Sequence, residues 1–109
     1  MRRTVLAVVA VLGACATAAA VDEQTALERR GEALLTKNCA SCHAIGRSGA
    51  STHPQAPAFR TLGKRYPVES LEETLAEGII SGHPDMPEFT FEAPDVGAII
   101  TYLESIQEP

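Results

Sequence analysis

The chain has 109 residues, enough for one small domain. Hydrophobic residues make up 45% but aromatics only 5%, with no Trp, so a core built from this chain alone is thin and calls for a staple, a metal or a cofactor. An excess of 14 acids over 9 bases argues against nucleic acid as a partner, and three cysteines are too few for a disulfide framework.

The amino terminus reads as a secretory signal. Met1-Arg2-Arg3 is basic, Thr4 to Leu12 is almost wholly apolar, and Ala18-Ala19-Ala20 is an A-x-A cleavage site followed by charge at Asp22 and Glu23. The apolar run is too short for a membrane span. Residues 1–20 are therefore expected to be removed, leaving a single domain over 21–109, outside the cytoplasm. Leu12-Gly13-Ala14-Cys15 resembles a bacterial lipoprotein cleavage box. The alternative is thus a lipid anchor at Cys15, which tethers the same domain to a membrane. Removing residues 1–20 leaves a net charge of −7, two cysteines (Cys39 and Cys42) and one methionine, Met86.

Three helical patterns follow, with no repeats and no sustained alternation that predicts a sheet. The first covers about 25–38, where Leu27, Leu34 and Leu35, with Ala26 and Gly31, form an apolar stripe. The second covers about 68–79, behind Pro67. Ser70-Leu71-Glu72-Glu73 reads as a capping box, Leu71, Leu75 and Ile79 share a face, and Gly78 suits a helix stop. The third covers about 93–106, with Pro94 in its first turn and Val96, Ile99, Ile100, Leu103 and Ile106 on the helical period. Between them lie Gly- and Pro-rich loops over 44–67 and 80–92. Loops this long around three short helices predict a large apolar ligand at the centre.

The first helix ends in Cys39-Ala40-Ser41-Cys42-His43, a C-x-x-C-H motif that attaches c-type haem. Two thiols at this spacing each add to one vinyl group of the same porphyrin as thioethers, and the next residue presents an imidazole to the iron. Rival readings remain. A zinc site would use Cys39, Cys42 and His43 with a fourth ligand from His53 or His83. A thioredoxin-like redox site expects flanking strands. A disulfide would close a very small loop and add little stability.

With this motif behind an export signal, the chain resembles the class I, mono-haem c-type cytochromes over nearly all of residues 21–109. The resemblance implies an all-α, small cytochrome c fold, with three principal helices and loops wrapped around one covalently bound haem c and its iron. Gly31 stands where the family's first helix has its crossing glycine. Tyr102-Leu103, with Ile99 one turn earlier, resembles the partner segment of the last helix. Met86, in His83-Pro84-Asp85-Met86-Pro87-Glu88-Phe89, resembles the distal-ligand loop, so His43 and Met86 are the expected axial ligands, with His83 as the rival. Pro57 resembles the loop proline whose carbonyl takes the His43 ring N–H, although Ala56 stands where the family often has Gly. Phe59, Leu62, Leu71, Leu75, Ile79, Phe89 and Phe91 are candidates for the haem wall. Arg60, Lys64, Arg65 and Tyr66 are candidates for the propionates.

A six-coordinate haem has no open position for a substrate, so the expected function is one-electron transfer, not catalysis. The expected protein is a monomeric periplasmic carrier that meets donor and acceptor proteins transiently. The acidic side chains Glu69, Glu72, Glu73 and Glu77 read as a solvated helix face. Two alternatives are a gas or redox sensor with a displaceable Met86, and an electron-transfer subunit of a larger dehydrogenase or oxidase.

Overall fold

The computed structural model describes residues 12–79 and 82–109, with side chains from residue 17 onward. The first eleven residues of the expected signal, and the side chain of Cys15, lie outside this description. Helix α1 spans Leu12–Asn38, α2 spans Glu72–Glu77 and α3 spans Ala93–Ile106. Two 3-10 helices, Phe59–Lys64 and Val68–Leu71, stand between α1 and α2. No strand occurs among the described residues. The fold is all-α, as the periodicities require.

Helix α3 has the bounds read from its apolar period, and Pro94 sits in its first turn. It is the centre of the molecule: Val96, Ala98, Ile99, Ile100, Tyr102, Leu103 and Ile106 are all buried. Helix α1 packs across it through Gly31 and Leu35, both buried. A Cβ at position 31 would strike the Ala98 carbonyl oxygen and come within 2.7 Å of Tyr102 Cβ. Gly31 therefore permits the close approach expected of it. An ion pair from Arg30 to Asp95 joins the same helices at the start of α3. The Tyr102 hydroxyl donates to Ile45 O at 2.8 Å, fastening α3 to the chain just beyond His43. Burial, then the nearby Glu32 carboxylate, pushes the Tyr102 phenol above its ordinary pKa, with Arg47 partly opposing them.

Three expectations change. Helix α1 begins well before Thr25 and runs unbroken through Ala20, because the alanines at 16 and 18–20 are strong helix formers. Ala26, placed in the apolar stripe, is exposed. The capping box at Ser70 does not form. Ser70 already lies inside a 3-10 turn closed by its own N–H onto Pro67 O at 3.1 Å, and Leu71, the residue before α2, makes no side-chain cap. Gly78 does end α2, at φ +121°, a conformation that favours glycine.

The carboxyl terminus locks the first 3-10 helix against α3. Gln107 accepts from Gly63 N–H at 2.7 Å and donates to Phe59 O at 2.9 Å. Glu108 takes Lys64 Nζ at 2.8 Å and Arg60 Nε at 3.1 Å. Lys64, then Arg60, holds the Glu108 carboxyl below the usual carboxylate range. A lowered folded-state pKa contributes stability that is present above the unfolded value, about 4.3, and is lost as pH falls through the folded one. The melting temperature of Glu108→Gln should therefore lie below the parent's at pH 7. The gap should close as the pH falls below about 4, as a thermal melt series across pH would record.

Candidate functional site

The C-x-x-C-H segment leaves the end of α1 as a tight turn. Cys39 N–H bonds Leu35 O at 2.8 Å, and His43 N–H bonds Cys39 O at 2.9 Å. Cys39 and Cys42 are free and half-buried. Burial, then the neighbouring Cys42, pushes the Cys39 thiol up to about 11. Among the described residues no three His, Cys, Asp or Glu side chains group to hold a metal ion, which leaves the zinc reading without its donor set.

His43 Nδ1 lies 2.8 Å from Pro57 O. A carbonyl oxygen only accepts, so Nδ1 carries the hydrogen and Nε2 keeps its lone pair for a ligand. This is the bond expected of Pro57, and Ala56 does not divert the backbone. Phe59 packs beside the imidazole with ring centroids 4.5 Å apart, fixing the ring in place. The loop over 44–58 is itself tied back: His53 N–H donates to Cys42 O, Phe59 N–H to Ala44 O and Ala44 N–H to the Ser51 hydroxyl.

His43 opens onto a cleft of about 530 Å³, inside the roughly 300–1,000 Å³ range of cofactor sites. Both cysteines, His43 and Met86 line this one cleft, as do all seven apolar residues expected at the wall. Leu35, Ile99 and Leu103 line it too. The helical period had assigned these three to the helix crossing or the core, and they serve both surfaces. Met86 is half-buried, whereas its rival His83 is exposed at the same cleft. The Met86 loop is closed at its base by Ile79 N–H to Phe89 O at 3.2 Å and Phe91 N–H to Leu75 O at 2.9 Å.

The four propionate candidates divide. Arg65 and Tyr66 line the cleft, while Arg60 and Lys64 engage Glu108. Arg60 Nη1 is buried and lacks a hydrogen-bond partner among the described residues, so it retains a donor for an anionic group. His53, read as a solvated loop histidine, is instead part-buried at the cleft and paired with Asp85.

The family profile for cytochrome c oxidase, cbb3-type, subunit III matches residues 26–103, which run from the middle of α1 to Leu103 in α3. The chain belongs to this cytochrome c family. It is 34% identical over 79 residues to the cbb3-type cytochrome c oxidase subunit FixP of a Bradyrhizobium species, covering 67% of this chain and 27% of that protein. It is 31% identical over 106 residues to cytochrome c oxidase subunit 2 of Alkalihalophilus pseudofirmus, covering 82% of this chain and 29% of that protein. The chain thus spans less than a third of the length of either relative. No solved structure matches it. Family membership makes the bound group a covalently attached haem c with its iron, and makes the domain an electron-transfer module. The apolar cleft and the free Nε2 of His43 fit that group.

Proposed function

We infer that this cytochrome c domain is an exported, monomeric one-electron carrier with His43 and Met86 as axial ligands. Haem c supplies the one-electron ferric/ferrous couple when bound. The observation that carries the reading is the His43 Nδ1–H to Pro57 O bond, which turns a bare Nε2 toward a cleft that Met86 also lines. Cys39 and Cys42 hold the group by thioethers, and the carbonyl behind His43 raises the basicity of its ring. Arg65 and Tyr66, which line the cleft, are the donors available to the propionates. Phe59, Leu75, Ile99 and Leu103, which line the cleft, would keep water from the bound group. They are packed against helices, so little reorganises when an electron moves.

Residues 1–20 act as the export signal in this reading, with Cys15 the point of anchoring if cleavage precedes it. No described helix is long and apolar enough to cross a membrane. A second reading is favoured by the names of both relatives, which are oxidase subunits: the domain delivers electrons within a larger terminal oxidase. Absorbance spectra of the purified holoprotein, oxidised and reduced, with and without carbon monoxide, test the ligand assignment. A low-spin spectrum with the far-red sulfur-to-iron band and no response to carbon monoxide is expected. A missing sulfur band with a rapid carbon monoxide shift would replace the carrier with a ligand-binding or sensor protein. Copurification with an oxidase would select the second reading.

A further inference from the structure

The two loops that face each other across the cleft are joined by a side-chain strap. His53, in the loop that carries Pro57, has its backbone N–H on Cys42 O at 3.1 Å. Its ring Nδ1 accepts from Gln55 N–H at 3.2 Å, which leaves the ring hydrogen on Nε2. That Nε2–H points to Asp85 Oδ2 at 3.2 Å. Asp85 immediately precedes Met86, and Met86 N–H closes a turn onto His83 O at 3.2 Å. A continuous path therefore runs from the C-x-x-C-H segment through His53 and Asp85 to the backbone of Met86. It crosses the cleft rim through protein atoms alone. The backbone ties described above hold the Met86 loop at its base, through residues other than those of this contact.

We propose that His53 and Asp85 are positioning residues that hold the tip of the Met86 loop over the cleft and so set how readily the thioether leaves the ferric iron. This rests on the assignment of Met86 as axial ligand. The contact lies at the rim: the Asp85 side chain is 74% exposed and that of His53 30%. A pair so exposed adds little to global stability. Its effect falls on the local opening of one loop, where a single hydrogen bond is a large share of what opposes the motion. A thioether binds ferric iron more weakly than ferrous, so the strap matters most in the oxidised protein.

The test uses imidazole as a competing ligand on the oxidised holoprotein and follows decay of the far-red sulfur-to-iron band. In the parent that band must be present; its absence would overturn the ligand assignment itself, and the strap with it. With the band present, His53→Ala and Asp85→Ala should each speed displacement roughly three- to tenfold, the range that one net hydrogen bond implies. The double variant should be no faster than either single one, because both remove the same contact. Unchanged rates in the single variants, or effects that multiply in the double variant, would overturn the strap while leaving Met86 as ligand. Asp85→Ala removes an exposed side chain and leaves the His53 to Gln55 contact in place, which keeps the test valid if His53→Ala disturbs its own loop.

Discussion

Met86→Ala should abolish the far-red sulfur-to-iron band and lower the reduction potential by on the order of 0.2 V, about a quarter of the span that axial ligands command. The physical reason is the softness and neutrality of the thioether, which favours ferrous iron over ferric. Its removal destabilises the reduced state selectively, so the potential falls. Potentiometric titration of the purified variant measures the shift directly. His83 complicates the variant in an informative way, since it lines the same cleft three residues away. If His83 replaces the lost ligand, the variant stays low-spin and closed to carbon monoxide, and its potential still falls. Met86→Ala combined with His83→Ala should then open the site and give a carbon monoxide response. A single variant that kept both the band and the parent potential would remove Met86 from the ligand set.

The residues that would make the site were legible because their chemistry is local. C-x-x-C-H is a contiguous motif, and Met86 is the only methionine after residue 1. The α3 bounds were legible because the helix buries a full stripe, and burial writes its period into the sequence. The start of α1 was not, because its stripe reports which face packs, not where helical backbone begins. Residues 17–24 are helical yet exposed, so no packing pattern marks them. The 3-10 helix Phe59–Lys64 was hidden among glycines and prolines. The signal was there in Phe59 and Leu62, buried at a spacing of three that matches a 3-10 turn. The His53–Asp85 contact joins residues 32 positions apart through two irregular loops, and no sequence periodicity encodes such a meeting.

The same limit governs glycines, and two substitutions of one kind should have opposite signs. Gly31 and Gly97 both lie inside long helices, and in isolation either should be improved by alanine, by about 0.5–1 kcal/mol. Gly97 is exposed, and nothing lies within 4 Å of where its Cβ would stand. Gly97→Ala should realise the gain in full. At Gly31 the new methyl meets the Ala98 carbonyl and Tyr102 Cβ, atoms that no rotamer change can move aside. Helices α1 and α3 must separate, at a net loss of about 1–3 kcal/mol after the propensity gain is subtracted. Guanidinium unfolding of the holoproteins should show the midpoint rising for Gly97→Ala and falling for Gly31→Ala, with similar slopes. Separation of α3 from α1 also displaces Ile99 and Leu103, which face the cleft, and strains the Tyr102 bond to Ile45 behind His43. The Gly31 variant should therefore change the haem absorbance as well as the midpoint, whereas the Gly97 variant should change the midpoint alone. A destabilised Gly31→Ala with an unaltered spectrum would mean that the helix crossing supports the fold without shaping the cleft.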